Sequence, residues 1–264
     1  MRFLFLGDVV GPIGLRGVGE VLPKLKAALK PDIAIVNGEN AARGRGIVRQ
    51  DYLALKRSGA DFITLGNHFL DKKALSSFIG EYPDLLRPLN AKGFDKGRGV
   101  AITEVNGLKV AILTITLPAF LNMELEDQYE TMERILPSLP KLSFIDLHGE
   151  STSEKQLFFH YFRGKVSAIV GTHTHVQTAD ACIEGGTAFI CDAGMCGESD
   201  SIIGVSYESA ISRARYGQGR FSCSEEGKYS VCGVYVDCDD ASGRAIAIRP
   251  FSIKEGMEVT DALS

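Results

Sequence analysis

Apolar and polar residues fall in blocks along this chain, and block length separates strands from helices. "RFLFLG" at the start, "DIAIVNG" from Asp32 and "DFITLG" from Asp61 are short, β-rich and nearly all apolar, as strands covered on both faces are. Between the first two, Val18, Val21, Leu22, Leu25 and Leu29 recur at helical spacing, predicting a helix over 15–29 that stops before Pro31. A second helix is predicted over 50–58. This βαβαβ series predicts parallel pairing with right-handed crossovers.

Beyond Pro88 the pattern changes. "GVAITEV" and "LKVAILTIT" are separated by Asn106-Gly107, a hairpin signal that is expected to add antiparallel strands to the sheet. A helix is predicted over 124–136, then the strand "LSFIDLH", then a helix whose start is marked by Ser151 and Glu154 in capping-box spacing, then the strand "VSAIVG". The tail, with "TAFICD", "KYSVCGVYVD" and "GRAIAIRPFSI", reads as β, interrupted by a Gly-rich, Arg-bearing segment over 194–227. With no internal repeat or low-complexity linker, one domain over 1–264 is expected, with room for a small cap or oligomerisation subdomain in the inserted segments. A homo-oligomer is the expected state.

Composition narrows the class. At 264 residues, 45% hydrophobic and 23% charged, the chain matches soluble globular proteins. Its formal charge of −4 supplies no basic field to recruit duplex nucleic acid or an anionic membrane. Asp8 ends the first apolar run too early for a signal peptide, and "VAILTITLPAFL" is too short to span a bilayer, so a cytoplasmic protein is expected. Cys182, Cys191, Cys196, Cys223, Cys232 and Cys238 form no C-x-x-C pair and are expected as reduced thiols filling the core, with zinc binding the minor alternative.

The chemistry gathers at strand ends. "RFLFLG" runs into Asp8, "DIAIVNG" into Glu39 and Asn40, "DFITLG" into Asn67 and His68, "LSFIDL" into His148, and "VSAIVG" into His173 and His175. Because a strand points residues i and i+2 to one side, His173 and His175 are expected to leave together, with Thr174 facing away. Singly, each residue has an ordinary explanation, since Asp and Asn are turn formers and a lone His is more often a hydrogen-bonded rim residue, as His160 within "QLFFHYF" is read here. Together they would require independent accidents at five strand ends, whereas ligands bind outside the carboxyl ends of strands in open α/β sheets. Imidazole, carboxylate and amide oxygen suit zinc, iron or manganese, and the set is too large for one tetrahedral centre, so two metal ions are implied. Asp8 and Glu39 leave such a pair electropositive and ready for a phosphate anion, with a metal-activated water as nucleophile. His68, beside Asn67, is the candidate general acid for an alkoxide leaving group, and Asp71 is a candidate to orient it.

"GDVVG", "NGEN", "GNH", "DLHGESTSEK" and "GTHTHVQTAD", in this order, resemble the calcineurin-like metallophosphoesterases, and specifically the bacterial branch of YmdB-type cyclic-nucleotide phosphodiesterases. The resemblance runs from Met1 to about Gly204, and "GRFSCSEEG" extends it. It implies an α/β, four-layer αββα sandwich of two facing mixed sheets flanked by helices. It also implies one metal on Asp8, Asn40 and His175, another on Asn67, His148 and His173, Glu39 bridging both, His68 as general acid, iron or manganese as the metal, and a 2′,3′- or 3′,5′-cyclic nucleotide as substrate. Val10 replaces the histidine of the superfamily's D-x-H motif and Glu39 its bridging Asp, both as in the bacterial branch. Leu70, Leu147 and Gly149 stand where that branch has Trp, Phe and Ala.

Three rivals bear on these residues. A dinucleotide-binding protein is disfavoured because G-x-G-x-x-G is absent and Asp8 would repel a pyrophosphate. A phosphomonoesterase, either a nucleotidase or a protein phosphatase, could use the same metals. A nucleotide-binding regulator without turnover would have no use for His68. Arg43 and Arg45 could clamp a phosphate, although a solvated loop is the ordinary explanation for them and for Arg213, Arg215 and Arg220.

Overall fold

In the computed structural model, which describes residues 1–263, β1 (Arg2–Leu6) points Phe3 and Phe5 to one face and Leu4 and Leu6 to the other, and all four are fully buried. The chain continues through β2 (Asp8–Val9), α1 (Gly11–Leu29), β3 (Ile33–Asn37), α2 (Arg49–Arg57), β4 (Phe62–Thr64), α3 (Leu75–Phe78) and β5 (Leu85–Leu86). β1, β3, β4 and β5 pair in parallel, as the βαβαβ pattern predicts. α1 starts earlier than its apolar stripe, because Pro12 suits a first helical turn, and it ends at the predicted Leu29.

The next elements are β6 (Val100–Val105), β7 (Leu108–Thr116), α4 (Gln128–Ile135), β8 (Leu142–His148), α5 (Thr152–Phe162), β9 (Ala168–Thr172), β10 (Cys182–Glu184) and β11 (Thr187–Ile190). β6 and β7 form the hairpin predicted at Asn106-Gly107, where both residues take positive φ. The hairpin does not extend the first sheet. It opens a second one, of order β10-β11-β9-β8-β7-β6, in which β7, β8, β9 and β11 run parallel. Ser151 caps α5 by accepting from the Glu154 N–H at 3.3 Å, but the Glu154 carboxylate accepts from the Ala119 N–H instead of closing a capping box.

The last third supplies β12 (Met195–Glu198), α6 (Tyr207–Tyr216), β13 (Tyr229–Cys238), β14 (Ala245–Lys254) and α7 (Val259–Ala262). β13 carries β14 along one edge and β1 followed by β12 along the other, completing an eight-stranded first sheet. β2 leaves the line of β1 to pair with β12, so that Asp8 stands opposite Met195. Gly7 makes this possible, because a Cβ there would lie 1.8 Å from the Gly194 carbonyl oxygen.

Three apolar layers follow from strand alternation. Phe3, Phe5, Ile33 and Ile35 of the first sheet meet Val110, Ile112, Phe144 and Val170 of the second between the sheets. Leu4, Leu6, Ala34 and Val36 face α1 and α2, while Leu113, Ile115, Ile145 and Leu147 face α4 and α5. This is the expected αββα sandwich, and no helix among the described residues is long and apolar enough to cross a membrane.

A buried polar cluster interrupts the inter-sheet layer. The fully buried Asp146 carboxylate of β8 accepts from Asn37 Nδ2 at 2.9 Å and Thr64 Oγ1 at 2.5 Å on the first sheet, and from Thr172 Oγ1 at 2.7 Å on the second. Burial pushes its pKa above the usual carboxylate range, against His148 and these three donors. Asp146→Leu, which fills the space but strands the donors, should destabilise the fold by roughly 3–5 kcal/mol in urea denaturation. A loss under about 1 kcal/mol would show that the seam is not held here.

Candidate metal centre and its cavity

The carboxyl ends of β1, β3, β4, β8 and β9 open on one edge of the sandwich, and the polar residues that follow them meet there. His148 is at the centre. Its ring is fully buried, with Nδ1 2.9 Å from Thr172 Oγ1. Because Thr172 Oγ1 donates to Asp146, it can only accept from the imidazole, so Nδ1 carries hydrogen and Nε2 faces the cluster. Around Nε2 lie Asn67 Oδ1 at 2.7 Å, Glu39 Oε1 at 3.1 Å and His173 Nδ1 at 3.1 Å. Gly66 allows the approach, since a Cβ there would overlap Glu39 Oε2 at 2.3 Å and His148 Nε2 at 2.4 Å.

The other expected ligands adjoin this group. Asp8 is fully buried and accepts from the His173 N–H at 3.0 Å, with Oδ1 3.9 Å from His148 Nδ1. Asn40 forms an isolated parallel bridge with Val10 and lines the same cavity as Glu39 and His175. His175 is not in direct contact with Asp8, but its charge is the largest electrostatic influence on that carboxyl after burial. The His68 N–H donates to Glu39 Oε2 at 3.2 Å, and its Nδ1 lies 3.0 Å from Asp71 Oδ2, the partner expected for it. Val10, in place of a superfamily ligand, is buried where a Cβ on Gly204 would meet it at 2.5 Å. Gly149 likewise leaves no room for alanine, as a Cβ would lie 2.8 Å from Leu117 Cβ.

The expected geometry of the His173/His175 pair is corrected by the backbone. β9 ends at Thr172, and His173 and His175 have φ of 102° and 65°, so a left-handed turn aims them, not strand alternation. Thr174 lines the same cavity. Side chains in this region store roughly 1–3 kcal/mol of strain each and persist only when their surroundings dictate it. Here the surroundings are a buried ion pair: Lys155 Nζ donates to the Thr172 carbonyl at 2.7 Å and to Asp192 Oδ2 at 3.1 Å, and the same Oδ2 accepts from the Thr174 N–H at 2.9 Å. Beyond the turn, His175 Nδ1 donates to the Ile203 carbonyl at 2.8 Å, and Ile203, a β-branched residue, itself has φ of 49°.

Electrostatics follow from burial. The Glu39 carboxyl resists burial because His148 beside it holds its pKa down to about 2, while Glu39 and Asp8 raise His148 to about 9 against its own desolvation. Burial and the His148 charge together press His173 down to about 3, and burial raises Asp8 to about 7. The donor set fits resident metal. Asp8 Oδ1 and Asn40 Oδ1 are buried without a hydrogen bond, and Glu39 Oε1 has only His148 Nε2 near it, an arrangement that is costly unless a cation meets these oxygens. The 2.7–3.1 Å spacing around His148 Nε2 is close to the separation of about 3.0–3.4 Å between ligand atoms that share one ion.

Sequence reasoning did not single out Glu150, whose Oε2 lies 3.0 Å from His173 Nε2, nor Thr172, Asp146, Lys155 and Asp192 behind the ligands. "DLHGESTSEK" holds Asp146, Glu150 and Lys155 close to His148 in sequence, which was the available signal, whereas the burial of Lys155 is visible only in the fold. Core filling was the wrong expectation for Cys223, which lines the cavity, although all six cysteines are free. Arg43 and Arg45 also line it, paired with Glu225 at 3.2 Å and Asp71 at 3.6 Å, so their loop is part of the site. Lys155→Met should strand the Asp192 charge and destabilise the fold by about 3–5 kcal/mol in chemical denaturation. An unchanged midpoint would show that the His173/His175 turn does not depend on this pair.

Similarity to known proteins agrees with this geometry. The chain is 42% identical over 260 residues to a Bacillus subtilis protein named 2′,3′-cyclic-nucleotide 2′-phosphodiesterase, covering 97% of this chain and 98% of that one. A crystal structure described as a novel phosphatase of Mycoplasma pneumoniae superposes with TM-score 0.91 at 33% identity, covering 96% of this chain and 93% of the other. The NAD nucleotidase of Haemophilus influenzae shares the fold, with TM-score 0.57 at 16% identity over 96% of this chain and 56% of its own. A family model described as YmdB-like protein matches residues 4–251, and the chain is a member of that phosphoesterase family, with the metallophosphoesterase fold.

Proposed function

We propose that this protein is a dinuclear-metal phosphodiesterase that opens 2′,3′-cyclic nucleotides. The observation that carries the proposal is the meeting of five strand ends around His148 Nε2, with buried oxygens of Asp8 and Asn40 left without donors beside Glu39. Asp8, Asn40 and His175 would hold one ion, Asn67, His148 and His173 the other, and Glu39 both. Iron or manganese suits these nitrogen and oxygen donors. When bound, the ions supply Lewis-acid polarisation of the phosphate and a water acidic enough to attack it. The name of the Bacillus subtilis relative favours the 2′,3′-cyclic class over the 3′,5′ class.

The chain's own residues do the rest. Water adds to phosphorus, the bond from phosphorus to the ribose oxygen breaks, and that oxygen must gain a proton. His68 lines the cavity and has Nδ1 3.0 Å from Asp71 Oδ2, a contact that orients the ring and leaves Nε2 to serve the leaving oxygen. The hydrogen bond from its N–H to Glu39 Oε2 ties the acid's backbone to the shared carboxylate, so ligand and acid keep a fixed offset. Arg43, Arg45 and Lys72 on the cavity wall attract the substrate anion.

Protein stripped of metal with a chelator should lose hydrolysis of adenosine 2′,3′-cyclic phosphate and bis-p-nitrophenyl phosphate, and manganese or iron should restore it. Monoester cleavage with no diester turnover would replace the proposal by a phosphatase. His68→Ala should keep its metal content by mass spectrometry while kcat for the cyclic nucleotide falls roughly 100- to 10,000-fold; loss of metal in that variant would make His68 a ligand. Glu39→Ala should bind less than half the wild-type metal, and an intact pair of ions would exclude the bridging role.

A further inference from the structure

The cavity in front of the metal-ligand cluster, about 500 Å³, has two unlike walls. One bears Arg43, Arg45 and Lys72 together with His68. The other comes from the segment between β12 and β13 and presents Ile202, Ile203, Val205 and Phe221. The side chains of the second wall offer nothing to an acid, a cation or the charge of a phosphate ester.

We propose that Phe221, with Ile202 and Ile203, forms a stacking shelf for the nucleobase of a nucleotide bound in this cavity; the shelf deepens the cyclic-nucleotide reading above and rests on it for the position of the phosphate. Phe221 lines the cavity and is 55% exposed, so a large aromatic surface is left open where a planar apolar group can cover it. Its ring already carries the Arg213 guanidinium 5.6 Å from the centroid, which fixes the ring by a cation–π contact.

The shelf is built at a set distance from the chemistry. Ile202 and Val205 pair through their backbones, and Ile203 between them is held at φ 49°. Its carbonyl accepts from His175 Nδ1, so the wall and a metal ligand share one hydrogen bond. A β-branched residue in the left-handed region is a strained choice that persists where the site requires it. The cavity volume is within the range of small-molecule sites and suits a mononucleotide. A sugar phosphate alone would leave the aromatic face wet, whereas every nucleobase offers a π-face, and such stacking is tolerant of base identity.

The test compares adenosine 2′,3′-cyclic phosphate with ribose 2′,3′-cyclic phosphate on the manganese-loaded protein. Phe221→Ala should lower the ratio of their kcat/KM values about tenfold, and Phe221→Trp should keep it. An equal fall for both compounds, or an unchanged ratio, overturns the shelf. Calorimetry with adenosine 3′-phosphate and ribose 3-phosphate reads the same preference without turnover. Base-dependent binding that is lost in Phe221→Ala supports the shelf even if wild-type protein hydrolyses neither cyclic compound, a result that would defeat the hydrolytic reading alone. Sedimentation velocity on Phe221→Ala checks the remaining use of the ring: a change of oligomeric state with base preference intact assigns Phe221 to an interface between copies and overturns the proposal.

Discussion

The site depends on one buried carboxylate at the seam of two sheets. Asp146 accepts hydrogen bonds from Asn37 and Thr64 on one sheet and Thr172 on the other, and Thr172 in turn fixes the protonated nitrogen of His148. Ligands from both sheets can share a centre only if the sheets keep their offset. Apolar packing between Phe3, Phe5 and Phe144 holds the sheets together but is tolerant of sliding, whereas hydrogen bonds to a carboxylate are directional. The seam converts a packed sandwich into a defined arrangement of the His148 cluster, as partners behind a side chain fix its orientation.

A second buried charge acts on the turn that the seam does not reach. Lys155 and Asp192 hold the carbonyl and N–H groups on either side of His173, in a backbone conformation that side chains disfavour. The two devices meet at Thr172, whose hydroxyl belongs to the Asp146 network and whose carbonyl belongs to Lys155. Breaking either therefore disturbs the orientation of His148 or the aim of His173, two imidazoles whose ring nitrogens lie 3.1 Å apart.

Much of this was legible in the sequence, for physical reasons that also explain what was not. Strand runs such as "RFLFLG" and "DIAIVNG" announce themselves because burial on both faces demands apolar residues throughout, and the polar residues that gather at their ends are marked by residue type. The two-residue strands β2 and β5 carry no period to read, and β2 forms only because β12 arrives from far along the chain. α6 buries no residue, so it lacks an apolar stripe, although Ser206 at its start and Gly217 at its end are ordinary cap signals. The mistaken strand geometry for His173 and His175 has the same origin. A left-handed turn in non-glycine residues is imposed by distant partners, Asp8, Lys155, Asp192 and Ile203, none of which lies beside the motif in a way that local pattern reveals.

The charge arrangement explains how so polar a cluster folds at all. Asp8 and Glu39 are fully buried, and two adjacent carboxylates would repel each other and drive up their own protonation. In the protein as described, the imidazolium of His148 supplies the compensating charge at the centre, held against its own desolvation by these same carboxylates. A metal cation at that place would serve the same electrostatic purpose with more charge and with the orphaned oxygens satisfied. Burial of the two carboxylates is therefore compensated from within the cluster itself. That pre-organisation requires small residues where the ligands crowd, which is why Gly66 lies against Glu39 and His148 and why a side chain there would close the centre.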